Sequence, residues 1–356
     1  MPMGELVIDG ESLTLEQAFA IANGSSTASL SKNARENMQI SREAVDRVVD
    51  SGEVVYGINT GFGALSSVSI DRDELKILQT NLVRSHACGV GERMNPEGVL
   101  LMMVIRSNSL AKGVSGARPE LVDLMLSMVN SKIAPVVPRI GSLGASGDLA
   151  PLSHMTMGMM GEGMCSVFAE GEWRIIDSMA ALTDAGLSPI KLQAKEGLSL
   201  INGTSQMCAY LISTVLNMET LCLAADAAIA CSLEAIRGSH KPFDKRIHES
   251  RPHLGQSISA ARISELLSDS EIVLSHAECD KVQDAYCFRC SPQVHGPVID
   301  LLREVRRMLE IEINSATDNP LVFVDDAGRV EIISGGNFHG QNLSLASDSI
   351  AIACHE

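Results

Sequence analysis

Aromatic side chains make up only 3% of the 356 residues: seven Phe, three Tyr and one Trp. An interior so short of rings must be filled by aliphatic and thioether groups. The 17 methionines and abundant alanines suit a helix-rich core of that kind. Positive charge is scarce as well, with 28 Lys and Arg against 44 Asp and Glu and a formal net charge of −16. A nucleic-acid backbone or an anionic membrane surface would be repelled, so a small-molecule partner is expected. No run of eighteen uncharged apolar residues occurs, and no membrane span is expected. The opening Met1-Pro-Met-Gly-Glu-Leu-Val-Ile-Asp-Gly10 lacks the basic-then-apolar pattern of a secretory signal, which points to the cytoplasm. The nine cysteines are odd in number and share no spacing, and several lie in apolar helical runs, so they read as buried, reduced thiols. Cys287-Phe-Arg-Cys290 is the one C-x-x-C, without a second pair or spaced histidines, and no metal site is expected.

Local pattern predicts a mainly α chain with small β-hairpins. Residues 6–8 read as a strand, Thr14-Leu-Glu-Gln17 as a capping box, and Ser41 as the start of a helix that ends at Gly52. Val54-Val-Tyr-Gly-Ile-Asn-Thr-Gly-Phe-Gly63 carries too many glycines for a helix or a long strand and reads as a hinged loop. Helices are expected from about Asp71, from Asn95-Pro96 and from Pro119. Residues 166–177 read as a hairpin turning at Glu170-Gly171. Gly203–Arg237 is the longest helix-compatible stretch; at ~1.5 Å per residue it would reach about 50 Å, a length usual in bundles and oligomers. Lys241–Pro252 reads as a loop, Ser259–Leu267 as a helix, Pro297–Asn314 as a long helix starting at its proline, residues 320–333 as a second hairpin, and Gln341 onward as a last helix that stops without a cap.

The stretch of greatest chemical interest is Gly141-Ser-Leu-Gly-Ala-Ser-Gly-Asp-Leu-Ala-Pro-Leu-Ser-His154. Its glycines permit a compressed turn. If the Gly147 nitrogen is pressed against the Ala145 carbonyl carbon, attack and the loss of two waters leave a five-membered ring with an exocyclic methylene. No standard side chain is such an electrophile, and chemistry of this kind otherwise needs a cofactor. The string resembles the signature of the histidine and aromatic amino-acid ammonia-lyases, whose methylidene-imidazolone (MIO) forms from this tripeptide without an external cofactor.

Further motifs match the same family in the same order, across essentially the whole chain. Tyr56-Gly-Ile-Asn-Thr-Gly-Phe-Gly63 is similar to the loop whose tyrosine takes the substrate β-proton. A free phenol titrates near 10, so a basic Tyr56 needs a nearby cation or an aligned donor. Leu200-Ile-Asn-Gly-Thr-Ser205 is similar to the motif whose asparagine sits beside the electrophile; Asn202 would polarise the ring carbonyl or hold the amine, and it would also serve as an N-cap. Gln283-Asp-Ala-Tyr-Cys-Phe-Arg289 resembles the family's Gln-Asp-Pro-Tyr-Ser-Leu-Arg, with Ala285 in the proline's place. The resemblance makes Arg289 the clamp on the substrate α-carboxylate, suited by its planar fork, with Tyr286 and Gln283 lining the pocket. Ser334-Gly-Gly-Asn-Phe-His-Gly340 brings Phe338 near the electrophile, or acts as a turn capping the last helix.

Ser85-His86 separates substrates within the family, since histidine-specific members carry His at the second place and phenylalanine- or tyrosine-specific members carry Phe-Leu or His-Leu. An imidazole needs a hydrogen-bonding partner that a phenyl ring does not, and His86 supplies one. The resemblance therefore implies elimination of ammonia from L-histidine to give urocanate. The alternatives are a phenylalanine or tyrosine ammonia-lyase or aminomutase, or a catalytically silent relative. It also implies an elongated helical bundle of the fumarase/aspartase-like architecture, assembled as a homotetramer with sites shared between chains. The expected division is an N-terminal lobe over residues 1–200, carrying the tyrosine loop and the 145–147 motif, and a long-helix domain over residues 201–356. Family members commonly continue past residue 356, so the second domain is expected to be incomplete.

Overall fold

The computed structural model describes residues 4–52, 54, 55, 57, 58, 60, 72–275 and 282–356. Strand β1 (Glu5–Ile8) leads to helix α1 (Leu15–Ala22), which starts at the expected capping box: Gln17 N donates to Thr14 Oγ1 at 3.1 Å and Thr14 N to Gln17 Oε1 at 3.0 Å. Strand β2 (Thr27–Leu30) pairs in parallel with β1. Helix α2 (Lys32–Ser51) begins well before Ser41, because the Ser31 hydroxyl caps Ala34 N and the polar run that follows still buries Ala34 and Met38 one turn apart.

Helix α3 (Arg72–His86), strand β3 (Val90–Arg93) and helices α4 (Pro96–Ala111) and α5 (Pro119–Asn130) come next, with Pro96 and Pro119 in the first turns as expected. Strands β4 (Ile133–Pro135) and β5 (Pro138–Ile140) precede α6 (Leu149–Met159). Strands β6 (Met164–Ala169) and β7 (Glu172–Asp177) form the expected hairpin, and β4 adds a third strand to it. Helices α7 (Ser178–Asp184) and α8 (Glu196–Ile201) lead to α9 (Ser205–Ala235), whose 31 residues span about 46 Å.

Where a loop was expected, a 3₁₀ turn at Lys241–Phe243 is followed by α10 (Lys245–Glu249), capped by Asp244 on Arg246 N. Helix α11 (Leu254–Leu266) starts earlier than Ser259. After α12 (Glu271–Ser275) and α13 (Tyr286–Arg289), helix α14 (Ser291–Glu312) carries Pro297 inside it rather than at its start. Tertiary packing extends α14 ahead of the proline: Gly296 lies flush on the backbone of Gly255 and Gln256, and Gly255 N donates to Asp300. Strands β8 (Leu321–Val324) and β9 (Val330–Ile333) form the second hairpin, and α15 (Gln341–Ala353) follows.

The chain forms two compact units that are not contiguous in sequence: Met1–Ile212 with Leu309–Leu343, and Ser213–Met308 with Ser344–Glu356. In the first, α4 is buried from Val99 to Ala111, and Val45, Val48, Leu75, Ala194 and Val322 form a further apolar cluster. In the second, Ala230 and Leu233 of α9 pack with Phe243, Ala260, Ile263, Leu267 and Val273. The stretch Glu196–Ala235 is long and apolar enough to cross a membrane by composition. It nevertheless carries Glu219, paired with Arg306 at 2.6 Å, and the buried Asp226, which accepts from Ser259 Oγ at 2.6 Å, so its charged groups are satisfied by neighbouring helices of the fold. The eight cysteines described are free. Only Cys165, Cys208 and Cys222 are buried, whereas Cys88, Cys231, Cys287 and Cys354 are exposed, so the expected burial holds for part of the set.

Candidate active site

Between β5 and α6 the glycine-rich stretch folds onto the segment joining α8 to α9. Asp148, buried at the start of α6, ties the two together. Its Oδ1 accepts from Ser142 Oγ at 2.6 Å, and its Oδ2 accepts from Gln206 N at 2.7 Å and Met207 N at 3.1 Å. Its own N–H donates to Gly203 O at 2.6 Å. One carboxylate thus orders the glycine turn and satisfies the free amides that open α9. Gly147, at φ +74°, is pressed so closely on this segment that a Cβ would overlap Gly203 O and stand 2.9 Å from Gly203 N and C. Only glycine fits there.

The same fold-back places Asn202 Nδ2 2.9 Å from Ser146 O, to which it donates. If residues 145–147 close into the ring, this oxygen is the carbonyl conjugated with the methylene. A donor on it draws electron density away and makes the methylene more electrophilic. The residues present therefore fit the group: a turn that excludes a side chain, a donor on the correct oxygen, and a Ser146 side chain on the exposed side while Gly147 and Asp148 are buried. The N-cap role considered for Asn202 is taken by Asp148 instead, which leaves the amide available to Ser146.

Helix α8, which presents Asn202, is itself buried and held by charge. Lys195, fully buried, donates to Ser115 O at 2.8 Å, to Ser199 Oγ at 3.0 Å and to Asp318 Oδ2 at 3.1 Å. Burial pushes the Lys195 ammonium below its usual range, against the pull of Asp318. Glu196, also fully buried, takes a two-pronged grip from Arg118 at 2.7 and 2.8 Å. From α4, Arg106 Nη2 donates to Ser199 O and Nη1 to Thr317 Oγ1 at 3.2 Å. Burial pushes the Asp148 carboxyl up to about 6, in spite of its three hydrogen bonds and the nearby Arg106.

The remaining expected residues divide. Tyr56 lies outside the described residues; its neighbour Gly57 packs on Pro320 and on Leu198 of α8. The end of α3 reaches the glycine stretch, for Gly89 lies against Gly141 and donates its N–H to His154 Nε2 at 3.1 Å. His86 Nδ1 stands 2.9 Å from Leu82 O. A carbonyl only accepts, so Nδ1 carries a proton, and a ring with one proton would hold it there and leave Nε2 to accept. The Phe338 segment is joined to the turn by Gly340 N donating to Gly144 O at 2.8 Å, and Phe338 is half-buried. The turn also caps α15, through His339 Nδ1 on Gln341 N at 3.2 Å.

Gln283, Tyr286 and Arg289 belong to the second unit. The Arg289 guanidinium lies 4.3 Å over the exposed Tyr286 ring, its buried Nε has no hydrogen-bond partner among the described residues, and with Gln283 it lines a cavity of about 390 Å³. Sequence reasoning missed Asp148, Arg106, Lys195 and Thr317 as site-shaping residues. Arg106 did leave a signal, being the only charge between Glu97 and Lys112 in an apolar helical run.

Known proteins resemble this chain over nearly its whole length. A family described as aromatic amino acid lyase matches residues 13–356. The histidine ammonia-lyase of Myxococcus xanthus is 48% identical over 353 residues, covering 99% of this chain and 68% of that protein. The crystal structure of histidine ammonia-lyase from Trypanosoma cruzi superposes with a TM-score of 0.88 at 39% identity, covering 99% of this chain and 65% of that one. A tyrosine aminomutase from Streptomyces globisporus gives 0.89 at 36% identity, with 99% and 68% covered. The chain spans about two thirds of the length of these relatives. The helical fold, the folded-back glycine turn and these matches together place the chain in the aromatic amino acid lyase family.

Proposed function

We propose that this chain catalyses the non-oxidative elimination of ammonia from L-histidine to give trans-urocanate, at an MIO formed from Ala145-Ser146-Gly147. The observation that carries the reading is the Asn202 amide donating to Ser146 O beside a Gly147 locked against Gly203. The choice of histidine rests on the likeness to histidine ammonia-lyases and on His86, whose free Nε2 would accept the imidazole N–H of the substrate.

The β-proton of an amino acid is weakly acidic and the C–N bond strong, so unassisted elimination is slow. Once formed, the ring would supply an electrophilic methylene that activates the substrate for elimination through its amine or its imidazole ring. The chain's own residues do the rest. Asn202 draws density from the Ser146 carbonyl. Tyr56 takes the β-proton as general base, which requires its phenol to be lowered from about 10 by neighbouring charge or donors. Arg289, stacked on Tyr286 and with Nε uncommitted, holds the α-carboxylate, with Gln283 beside it. Phe338 would border the electrophile, a placement supported by the bond from Gly340 to Gly144 two residues on.

The reading carries a homotetramer with shared sites and a cytoplasmic location. Support comes from apolar side chains left exposed on α9, Leu221 at 64% and Leu223 at 51%, and from free cysteines. The test is direct. The purified chain should weigh two waters less than its sequence and generate urocanate absorbance from L-histidine but not from L-phenylalanine or L-tyrosine. Ser146→Ala should remain folded and lose both properties. An unmodified mass together with absent urocanate would overturn the reading.

A further inference from the structure

Arg106 is fully buried in α4, and among the described residues it forms no ion pair within 4 Å. Its donors go to Ser199 O and Thr317 Oγ1, and among the described residues its Nε has no partner. Burial pulls the guanidinium below its usual range, opposed by the more distant Asp318 and Asp148. A cation this deeply buried, with its acidic neighbours beyond ion-pair distance, is an expensive way to fill space, and an apolar side chain would be cheaper. Stability alone therefore does not account for it.

The guanidinium faces Gly203. A Cβ on Gly203 would overlap Arg106 Nη1 and stand 2.9 Å from Thr317 Oγ1. The N, C and O atoms of the same Gly203 meet Gly147. Three layers result: the tripeptide turn, the Gly203 peptide, and the guanidinium behind it. Asn202, which donates to Ser146 O, is the residue before Gly203, and Ser199 O lies in the last turn of the helix that presents it.

We propose that Arg106 is a positioning residue for the electrophile, the backstop that keeps the Gly203 peptide pressed on Gly147 and Asn202 seated on Ser146 O. The inference rests on the reading that residues 145–147 cyclise. In that step a bond forms from Gly147 N to Ala145 C. The Ala145 oxygen leaves as water with the protons of Gly147 N and Ser146 N, and the Ser146 hydroxyl leaves as water with the Ser146 Cα hydrogen. Arg106 exchanges no atoms in it. Without the guanidinium the Gly203 peptide can relax into the vacated space, Gly147 N retreats from Ala145 C, and the Asn202 bond lengthens. The planar fork matters because it reaches Ser199 O and Thr317 Oγ1 together, which a lysine cannot do.

The experiment compares wild type with Arg106→Lys, Arg106→Met and Thr317→Val. Intact mass gives the cyclised fraction of the folded protein, and kcat and KM for L-histidine are then normalised to that fraction. For Arg106→Met the cyclised fraction should fall at least fivefold. For Arg106→Lys it should fall at least twofold, with kcat per cyclised site down about tenfold and KM within threefold. Thr317→Val should move both quantities the same way by about twofold. A merely structural arginine would lower yield and melting temperature while leaving the mass of the folded fraction and its kcat unchanged. That result for Arg106→Lys overturns the proposal. If neither arginine variant is soluble, wild-type cyclisation and kcat in Thr317→Val overturn it instead. An uncyclised wild type would refute the cyclisation reading itself and the role of Arg106 with it, and is recognised before any variant is measured.

Discussion

Replacing Asp148 by asparagine should cost little stability at pH 8, whereas alanine should cost a great deal. The Asp148 carboxyl accepts hydrogen bonds from Ser142 Oγ, Gln206 N and Met207 N, yet burial raises its pKa from 3.8 to about 6. At ~1.4 kcal/mol for each tenfold in proton affinity, the site disfavours the charge by about 3 kcal/mol relative to water. Asparagine keeps the shape and removes the charge. Its oxygen can accept from the two helix amides while its NH₂ donates to Ser142 Oγ, whose hydroxyl turns to accept. We expect Asp148→Asn at pH 8 to be between equal to wild type and about 2 kcal/mol more stable. Alanine strands two amides and a hydroxyl at ~1–3 kcal/mol each, so a loss on the order of 4 kcal/mol is expected. The pH dependence has a definite sign. Because the folded-state pKa is raised, the contribution of Asp148 is fully present below pH 3.8 and lost as pH rises through about 6. Wild type should therefore lose about 2 kcal/mol between pH 4.5 and pH 8 that Asp148→Asn does not lose. Urea unfolding followed by helical circular dichroism at pH 4.5, 6 and 8 measures all three proteins. An Asp148→Asn protein destabilised by more than about 2 kcal/mol at pH 8, with a difference from wild type that ignores pH, would refute the argument and show that the ion itself is required.

Three further outcomes are expected. Tyr56→Phe removes one hydroxyl, so kcat should fall at least ~10²-fold with KM little changed, and an unaltered kcat would assign the proton transfer to another group. His86→Leu deletes the Nε2 acceptor and leaves an imidazole N–H unpaired, which should lower kcat/KM for L-histidine by ~10–100-fold; equal values in the two proteins would remove His86 from recognition. Sedimentation of a dilute sample should show self-association, since α9 leaves Leu221 and Leu223 exposed; a well-folded monomer with full activity would sink the shared-site arrangement.

Much of this molecule is written in short-range sequence. The capping box at Thr14, the first-turn prolines of α4 and α5, the hairpin at Glu170-Gly171 and the length of α9 depend on interactions within a few residues, and each stands where pattern placed it. The 145–147 turn, Asn202 and the Gly-Asn-Phe-His-Gly segment were legible as motifs because particular residue types stand in a particular order there. Their partners were not legible. Asp148 reaches amides 58 residues away, Arg106 reaches a carbonyl 93 residues away, and β1 pairs with β2 in parallel through no local turn signal. Local propensity also misplaced the starts of α2, α11 and α14, and for α14 the contact of Gly296 with Gly255 and Gln256 supplies what Pro297 withholds. The sequence by itself determined the helical class and singled out the candidate tripeptide, because both follow from residue type and near neighbours. Only the tertiary structure decided that Gly147 is trapped on Gly203, that Asn202 serves Ser146 rather than the helix it precedes, and that a buried arginine stands behind them, because desolvation and close approach belong to segments brought together from distant parts of the chain.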